Sequence, residues 1–186
     1  MTDATDPLET IWDALTDAAT SPGNGLTLMN IATIGRDGGP RARFVILRDF
    51  SRSPERIGFA THAQSEKVAE IRANPSVAAT CYDRESSVQL RLEGVATVIE
   101  DDAERWSAWQ RLAPHSRQQY ASQGTPGEPF AAQSNLPDDP STAYQRFAWI
   151  WLKLQRLDWL DLSTDPHHRW QFARTNNGWD GQRIVP

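Results

Sequence analysis

The sequence predicts a mainly β domain of the α+β class: a closed antiparallel barrel with one helix ahead of it and further helices inserted between strands. Three observations carry this. Short runs rich in β-branched and aromatic residues recur between turn signals along most of the 186 residues. Helical periodicity is confined to the N-terminus and a few insertions. No dinucleotide fingerprint follows any strand, and the run from Gly35 to Gly39, lacking both the Rossmann spacing and a P-loop lysine, reads as a hairpin turn.

Leu8, Ile11, Trp12 and Leu15 recur at helical spacing, with Asp6 as N-cap, Pro7 at the first position and Glu9 completing a capping box. The turn from Ser21 to Gly25 ends that helix. Leu26–Ile34 and Arg41–Arg48 then form a hairpin around Arg36–Pro40, and Ile57–His62 is the next strand. Ser65 caps a short helix to Ala73, stopped by Asn74-Pro75, and the strand Val77–Tyr82 follows. Val88–Ile99 alternates long enough for one long strand, with Gly94 at a bulge or bend. Asp101 and Glu104 bracket the start of a helix that continues through Trp106, Trp109, Gln110 and Leu112 to Pro114, and a second short helix holds His115–Ser122. Residues 123–142, rich in Pro, Gly, Ser and Asp, read as a long flexible surface loop. Phe147–Leu154, Arg156–Leu162, Arg169–Arg174 and Trp179–Ile184 finish the chain as strands, the last two joined through Asn176-Asn-Gly178.

Composition narrows the function classes. A formal charge of −5 offers no broad positive field for nucleic acid. The lone Cys81 forms no internal disulfide and no signal peptide opens the chain, which fits a reducing cytoplasm. Phe147–Leu154 contains Lys153 and is far shorter than the roughly 20 residues a bilayer span needs, so no membrane role is expected. His167 and His168 are adjacent and point oppositely on a strand; no metal site is expected, and no Gly-x-Ser-x-Gly elbow marks a serine hydrolase. Eight Trp, five of them after residue 148, serve either core and interface packing or a wall beside a planar ligand.

Two basic segments remain. Arg43 and Arg48 flank the apolar run Phe44–Leu47, and Thr61, Ser65 and Lys67 stand at a strand end and the first turn of a helix, where unpaired N–H groups favour an anion. They either converge on one phosphate or are solvated, salt-bridged charges. Gln89, Arg91 and Glu93 share one face of the long strand, opposite Val88, Leu90 and Leu92, and meet water, a partner or a ligand.

Arg43-Phe-Val-Ile-Leu-Arg48, Gly58-Phe-Ala-Thr-His62, Ser65-Glu-Lys67, Asn74-Pro75 and Gln89-Leu-Arg-Leu-Glu-Gly94, in this order and spacing, resemble the pyridoxamine 5'-phosphate oxidase family. The resemblance resumes in Arg156-Leu-Asp-Trp-Leu160, His167-His-Arg169 and Trp179 to Pro186, covering most of the chain beyond about residue 25. It implies a single FMN-binding split-barrel domain over residues 1–186, a homodimer with FMN at the subunit interface, and a C-terminal segment of about 147–186 serving dimerisation and flavin contact. By resemblance, Arg43 and Lys67 hold the FMN phosphate, Thr61 and Ser65 assist, and Val45 and Leu47 present backbone to the ring. Gln89 comes from the facing segment, Gln123 from the loop, and Arg169 approaches the flavin; Arg48 belongs to both cofactor and substrate sides. Arg48, Ser116 and His167 are the expected substrate contacts, with His167 and Arg169 orienting the small-molecule substrate over the flavin.

The implied activity is oxidation of a CH–NH2 or CH–OH group with oxygen as acceptor; an FMN-dependent reductase or oxidase acting on another molecule, and a non-catalytic FMN-binding protein, are the alternatives. Five positions depart from the family pattern. The tryptophan expected beside the flavin comes one place early as Trp159, or is Leu160, and Glu66 replaces the first of two basic residues before the helix. The tyrosine and arginine that clamp the substrate phosphate align with Ala108 and Leu112, and Asp165 stands at the first arginine of Arg-x-His-x-Arg. These departures bear on the substrate more than on the flavin.

Overall fold

The computed structural model describes residues 6–21, 23–122, 124–129 and 140–186. Its first helix, α1 (Pro7–Thr20), starts as its sequence dictates, with the Asp6 carboxylate accepting from Leu8 N at 3.0 Å. The capping box does not close. Glu9 instead accepts from Arg52 at 2.8 Å, tying the helix to a strand. Ile11 and Leu15 are fully buried, and Trp12 stacks on Phe50 and meets Trp179 edge-on; each such buried side chain stabilises by roughly 1.5–3 kcal/mol.

The strands are β1 (Leu28–Ile34), β2 (Pro40–Arg52), β3 (Glu55–His62), β4 (Ser76–Asp83), β5 (Val88–Val98), β6 (Phe147–Asp161), β7 (His168–Thr175) and β8 (Gly178–Ile184). All pair antiparallel, in the order β3-β2-β1-β4-β5-β6-β7-β8, and β3 returns to pair with β6. Six strands thereby close a barrel, while β7 and β8 extend from the second half of β6. Met29, Ile31, Leu90, Leu92, Ile150 and Leu152, each at most barely accessible, fill its interior.

The expected pair of strands Phe147–Leu154 and Arg156–Leu162 is one strand, β6. The break read at Gln155 is a bulge: Leu154 pairs with Gly94 and Arg156 with Glu93, leaving Gln155 as the extra residue. The bend expected at Gly94 falls at this point, but the inserted residue lies on the partner strand. Gly94 serves close approach, since a Cβ there would lie 2.0 Å from the Lys153 carbonyl oxygen.

The apolar run of β6 has both faces covered. Ala148, Ile150 and Leu152 point into the barrel, whereas Phe147, Trp149 and Trp151 pack outward in a second cluster with Trp109, Leu112 and Tyr120. That cluster is roofed by α3 (Asp102–Arg111), capped by Asp101 on Glu104 N at 2.8 Å, and by α4 (Pro114–Gln118). α4 is shorter than the helix expected to Ser122. The other inserted helix, α2 (Glu66–Ala73), follows β3, and a four-residue α5 (Pro140–Ala143) occupies the end of the expected 123–142 loop. Residues 123 and 130–139 of that loop lie outside the described residues. Among the described residues no helix is long and apolar enough to cross a membrane.

Candidate functional site

The barrel is split between β2 and β3. Their pairing runs from Arg52↔Glu55 inward to Leu47↔Phe59 and stops there, so the rest of β2 and Ala60 to His62 diverge. Into that gap open Arg48, Thr61, Lys67, Ser116 and Tyr120, lining a cavity of about 190 Å³.

β1 fixes which backbone groups face the gap. Leu47 N donates to Thr27 O at 2.8 Å, so in the antiparallel alternation Leu47, Val45 and Arg43 turn their backbone groups to β1. Phe44 and Ile46 direct theirs to the opposite edge, where β3 has no registered partner for Phe44. On this register the backbone groups of Val45 and Leu47 face β1 and those of Phe44 and Ile46 face the gap, while the side chains of Val45 and Leu47 are buried in the core.

The cationic end is built on two elements. Arg43 donates to Glu70 Oε2 at 2.5 Å and also to Thr33 Oγ1, while Thr33 donates to the same carboxylate at 2.6 Å. Glu70, 4% exposed, thus fixes Arg43 in place. Lys67 reaches over from the first turn of α2 and donates to Thr61 Oγ1 at 2.9 Å. Ser65 occupies the N-cap position but does not cap with its side chain; its buried hydroxyl lies 3.3 Å from Thr61 Oγ1.

Burial, and then the Arg43 charge, hold the Lys67 ammonium below the ordinary lysine range, with Glu70 opposing. Two cations thus press on one another with a single carboxylate between them. Hydroxyls and the free N–H groups of a helix start surround them. This donor set fits a phosphate.

Glu70 and Tyr120 were not singled out in the sequence. A carboxylate inside the apolar stripe Val68, Ile71 was the available sign for Glu70. Tyr120, whose phenol burial pushes up to about 12 with Arg48 opposing, stays a neutral hydroxyl on the cavity wall.

Gln89, His167 and Arg169 are not brought to this gap. Strand register puts Gln89 beside Leu160, and Leu160 beside Arg169, on the outer face of the sheet. Arg169 makes a two-point contact with Asp158, Nε at 3.0 Å and Nη2 at 2.7 Å, and Gln171 adds a third hydrogen bond at 2.9 Å. Burial pushes the Asp158 carboxyl up, but the bonds from Arg169 and Gln171 outweigh it and hold it below the usual carboxylate range. His167, exposed just before β7, donates from Nδ1 to Thr164 O at 2.7 Å. Gln123 lies outside the described residues.

At about 4.8 Å per strand, Ile46 and Gln89 stand three spacings apart, roughly 14 Å. Between them the same face carries Leu28 and Tyr82, each 48% exposed, with Phe44 at 65% alongside. Within one chain the β2–β3 gap and the Gln89, Arg169 region are therefore separated by an exposed apolar strip.

A closed barrel split beside a phosphate-fitting cation pair is the split-barrel architecture of FMN-binding proteins. Residues 15–153 match the model of the family described as pyridoxamine 5'-phosphate oxidase, and the chain belongs to that family. Pyridoxine/pyridoxamine 5'-phosphate oxidase 2 of Arabidopsis thaliana is 26% identical over 172 residues, covering 85% of this chain and 86% of its own. Dihydrophenazinedicarboxylate synthase of Pseudomonas chlororaphis is 28% identical over 165 residues, covering 84% of this chain and 73% of its own. Among solved structures, a pyridoxamine 5'-phosphate oxidase-related, FMN binding protein from Nostoc punctiforme superposes with a TM-score of 0.81 at 25% identity, over 96% of each chain.

Proposed function

We propose that this protein is an FMN-dependent oxidoreductase working as a homodimer, which oxidises a CH–NH2 or CH–OH group of a small molecule with oxygen as acceptor. The observation that carries this reading is the crowding of Lys67 against Arg43 beside the Thr61 and Ser65 hydroxyls, a cation pair completed by a terminal phosphate. Arg43, Lys67, Thr61 and Ser65 hold that phosphate, and the open β2 edge at Phe44 and Ile46 receives the ring. FMN when bound supplies the hydride acceptor. The chain supplies binding and orientation: Arg48, Ser116 and the neutral Tyr120 hydroxyl face the substrate from the gap.

The homodimer follows from reading the β2–β3 gap and the Gln89, Arg169 region as half-sites. A second copy seated on the Leu28, Phe44, Tyr82 strip removes exposed apolar surface and carries its own Gln89, His167 and Arg169 toward the gap. A substrate other than the B6 phosphates is favoured by Ala108 and Leu112. Both are buried in the apolar cluster at the positions where the resemblance places the family's phosphate clamp, and the neighbouring arginines are engaged elsewhere: Arg111 with Asp49 at 2.9 Å, Arg117 with Gln110 O at 2.5 Å.

Titration of the purified protein with FMN, followed by flavin absorbance and thermal melting, tests the reading. A stoichiometric spectral change is expected, with about 2.7 kcal/mol of stabilisation at 100 times the dissociation constant and much weaker binding of riboflavin. The absence of both a spectral change and a melting shift would exclude it.

A further inference from the structure

His62, at the turn that joins β3 to α2, lies outside the phosphate donor set yet shapes it. It ends β3 paired with Phe147, so strand alternation points its side chain away from that of Thr61, and the residue is only 9% exposed. Ring and backbone both hold the turn. The His62 carbonyl accepts from Ser65 N at 3.0 Å, and the ring Nδ1 accepts from Gln64 N at 3.2 Å. Ala63 N donates to the Arg146 carbonyl at 2.7 Å.

The backbone donors of residues 63–65 are therefore spent, whereas no acceptor among the described residues takes the N–H groups of Glu66 and Lys67. Those two, with the Lys67 ammonium on Thr61 Oγ1 at 2.9 Å, are the donors that the start of α2 presents. We propose that His62 is a positioning residue for the cofactor phosphate: its Nδ1, by accepting from Gln64 N, sets the turn that aims the Glu66 and Lys67 donors at the anion. The assignment rests on the phosphate reading of this junction.

The two ring nitrogens differ in what they contribute. A neutral imidazole has one donor and one acceptor nitrogen, and since Nδ1 accepts, the proton stands on Nε2. Nε2 is buried and has no partner among the described residues. A buried donor left unpaired lowers stability, so an apolar side chain would fill the same space at less cost, and stability does not account for the histidine. Nδ1 does. It bonds the backbone two residues on, as the side-chain oxygen of an asparagine does in an Asx-turn. The bond requires a neutral ring, because a protonated Nδ1 would face the Gln64 N–H as a second donor. Its surroundings keep it neutral: burial first, then the Arg146 and Lys67 charges, hold the imidazole below the ordinary histidine range.

Two amides separate the nitrogens experimentally. Asparagine places an acceptor near the Nδ1 position and glutamine one near Nε2, so only His62→Asn keeps the bond from Gln64. Parent, His62→Asn and His62→Gln are titrated with FMN and with riboflavin by flavin fluorescence, and each apoprotein is melted. Riboflavin lacks the phosphate, so the ratio of the two affinities reads the phosphate site. His62→Asn is expected to keep the parent's preference for FMN within about threefold, and His62→Gln to lower it about tenfold or more by weakening FMN with riboflavin unchanged, the effect of one misplaced charge-assisted contact. A preference unchanged in His62→Gln, or lowered equally in both variants, overturns the proposal. Equal loss of FMN and riboflavin, or a variant without a melting transition, makes His62 a general structural residue and overturns it too. In each of these outcomes a parent that prefers FMN leaves the flavin reading standing. A parent with no preference removes the phosphate reading and this assignment together.

Discussion

Replacing Lys67 by Met should move cofactor affinity and apoprotein stability in different directions. Among the described residues Lys67 makes one hydrogen bond, to Thr61 Oγ1 at 2.9 Å, and lies close enough to Arg43 for that charge to depress its own ionisation. A lysine whose folded pKa lies below its unfolded value binds fewer protons folded than unfolded between the two. The cost of charging it is therefore fully present below the folded pKa and disappears as pH rises toward the unfolded value near 10.4. At pH 7 the wild-type apoprotein bears that cost. Lys67→Met removes it together with one exchangeable hydrogen bond of about 1 kcal/mol, so the urea midpoint of the apoprotein should stay the same or rise. FMN loses a charge-assisted contact of about 1.5–3 kcal/mol, which is a rise in dissociation constant of roughly 10- to 150-fold. Lys67→Glu adds repulsion and should weaken FMN further. Flavin fluorescence titration gives the first quantity and urea denaturation monitored by Trp emission the second. If Lys67→Met binds FMN within twofold of the parent, or if its apoprotein unfolds at clearly lower urea, Lys67 is a structural cation and the phosphate is held elsewhere.

Three further expectations follow from the same contacts. Asp158→Asn should destabilise by about 2–3 kcal/mol at pH 7, because Arg169 and Gln171 lose a buried carboxylate partner; since the Asp158 pKa is depressed in the folded state, that contribution is present above the unfolded value near 3.9 and fades as pH falls through the lower folded one, so urea midpoints of parent and variant should converge only in acid, and a gap independent of pH would contradict the assignment. Tyr82→Arg, at a residue 48% exposed on the apolar strip, should give a monomer in sedimentation at micromolar concentration with weakened FMN binding, whereas an unchanged dimer would place the interface on another face. Pyridoxine and pyridoxamine 5'-phosphates, mixed anaerobically with FMN-loaded protein, should bleach the flavin poorly. Two missing charged contacts of about 1.5–3 kcal/mol each imply at least about a hundredfold loss in capture, and bleaching within seconds at micromolar ester would show that the gap accepts a phosphate ester.

Much of the architecture was legible in the residues because its signals are local. Asp6 and Asp101 cap their helices as their positions suggest. The alternation of Val88, Leu90 and Leu92 against Gln89, Arg91 and Glu93 is the burial pattern of β5, because successive residues of a strand must point to opposite faces. Thr61, Ser65 and Lys67 lie within hydrogen-bonding reach because one strand-to-helix junction carries all three, and the Arg43 charge acts on Lys67 from the neighbouring hairpin strand. Where the sequence misled, a long-range partner had the deciding vote. Gln155 broke the period of β6 only because Glu93 and Gly94 across the ladder accommodate one extra residue, and Glu9 left its capping box for Arg52, 43 residues away.

By itself, then, the sequence determined which segments are strands, which faces are apolar and which basic and hydroxyl residues gather at the β3–α2 junction, all consequences of spacing within one or two elements. Only the tertiary structure decided what those elements enclose. The point where β2 and β3 part, which turns Phe44 and Ile46 rather than Val45 and Leu47 toward the gap, depends on the register against β1. The burial of Glu70 behind Arg43, the distance across the sheet between the β2–β3 gap and Gln89, and the cavity left beside Ala108 and Leu112 depend on how closed strands and a roofing helix divide space. Closure of a barrel is a property of all its strands at once, and no local run of residues encodes it.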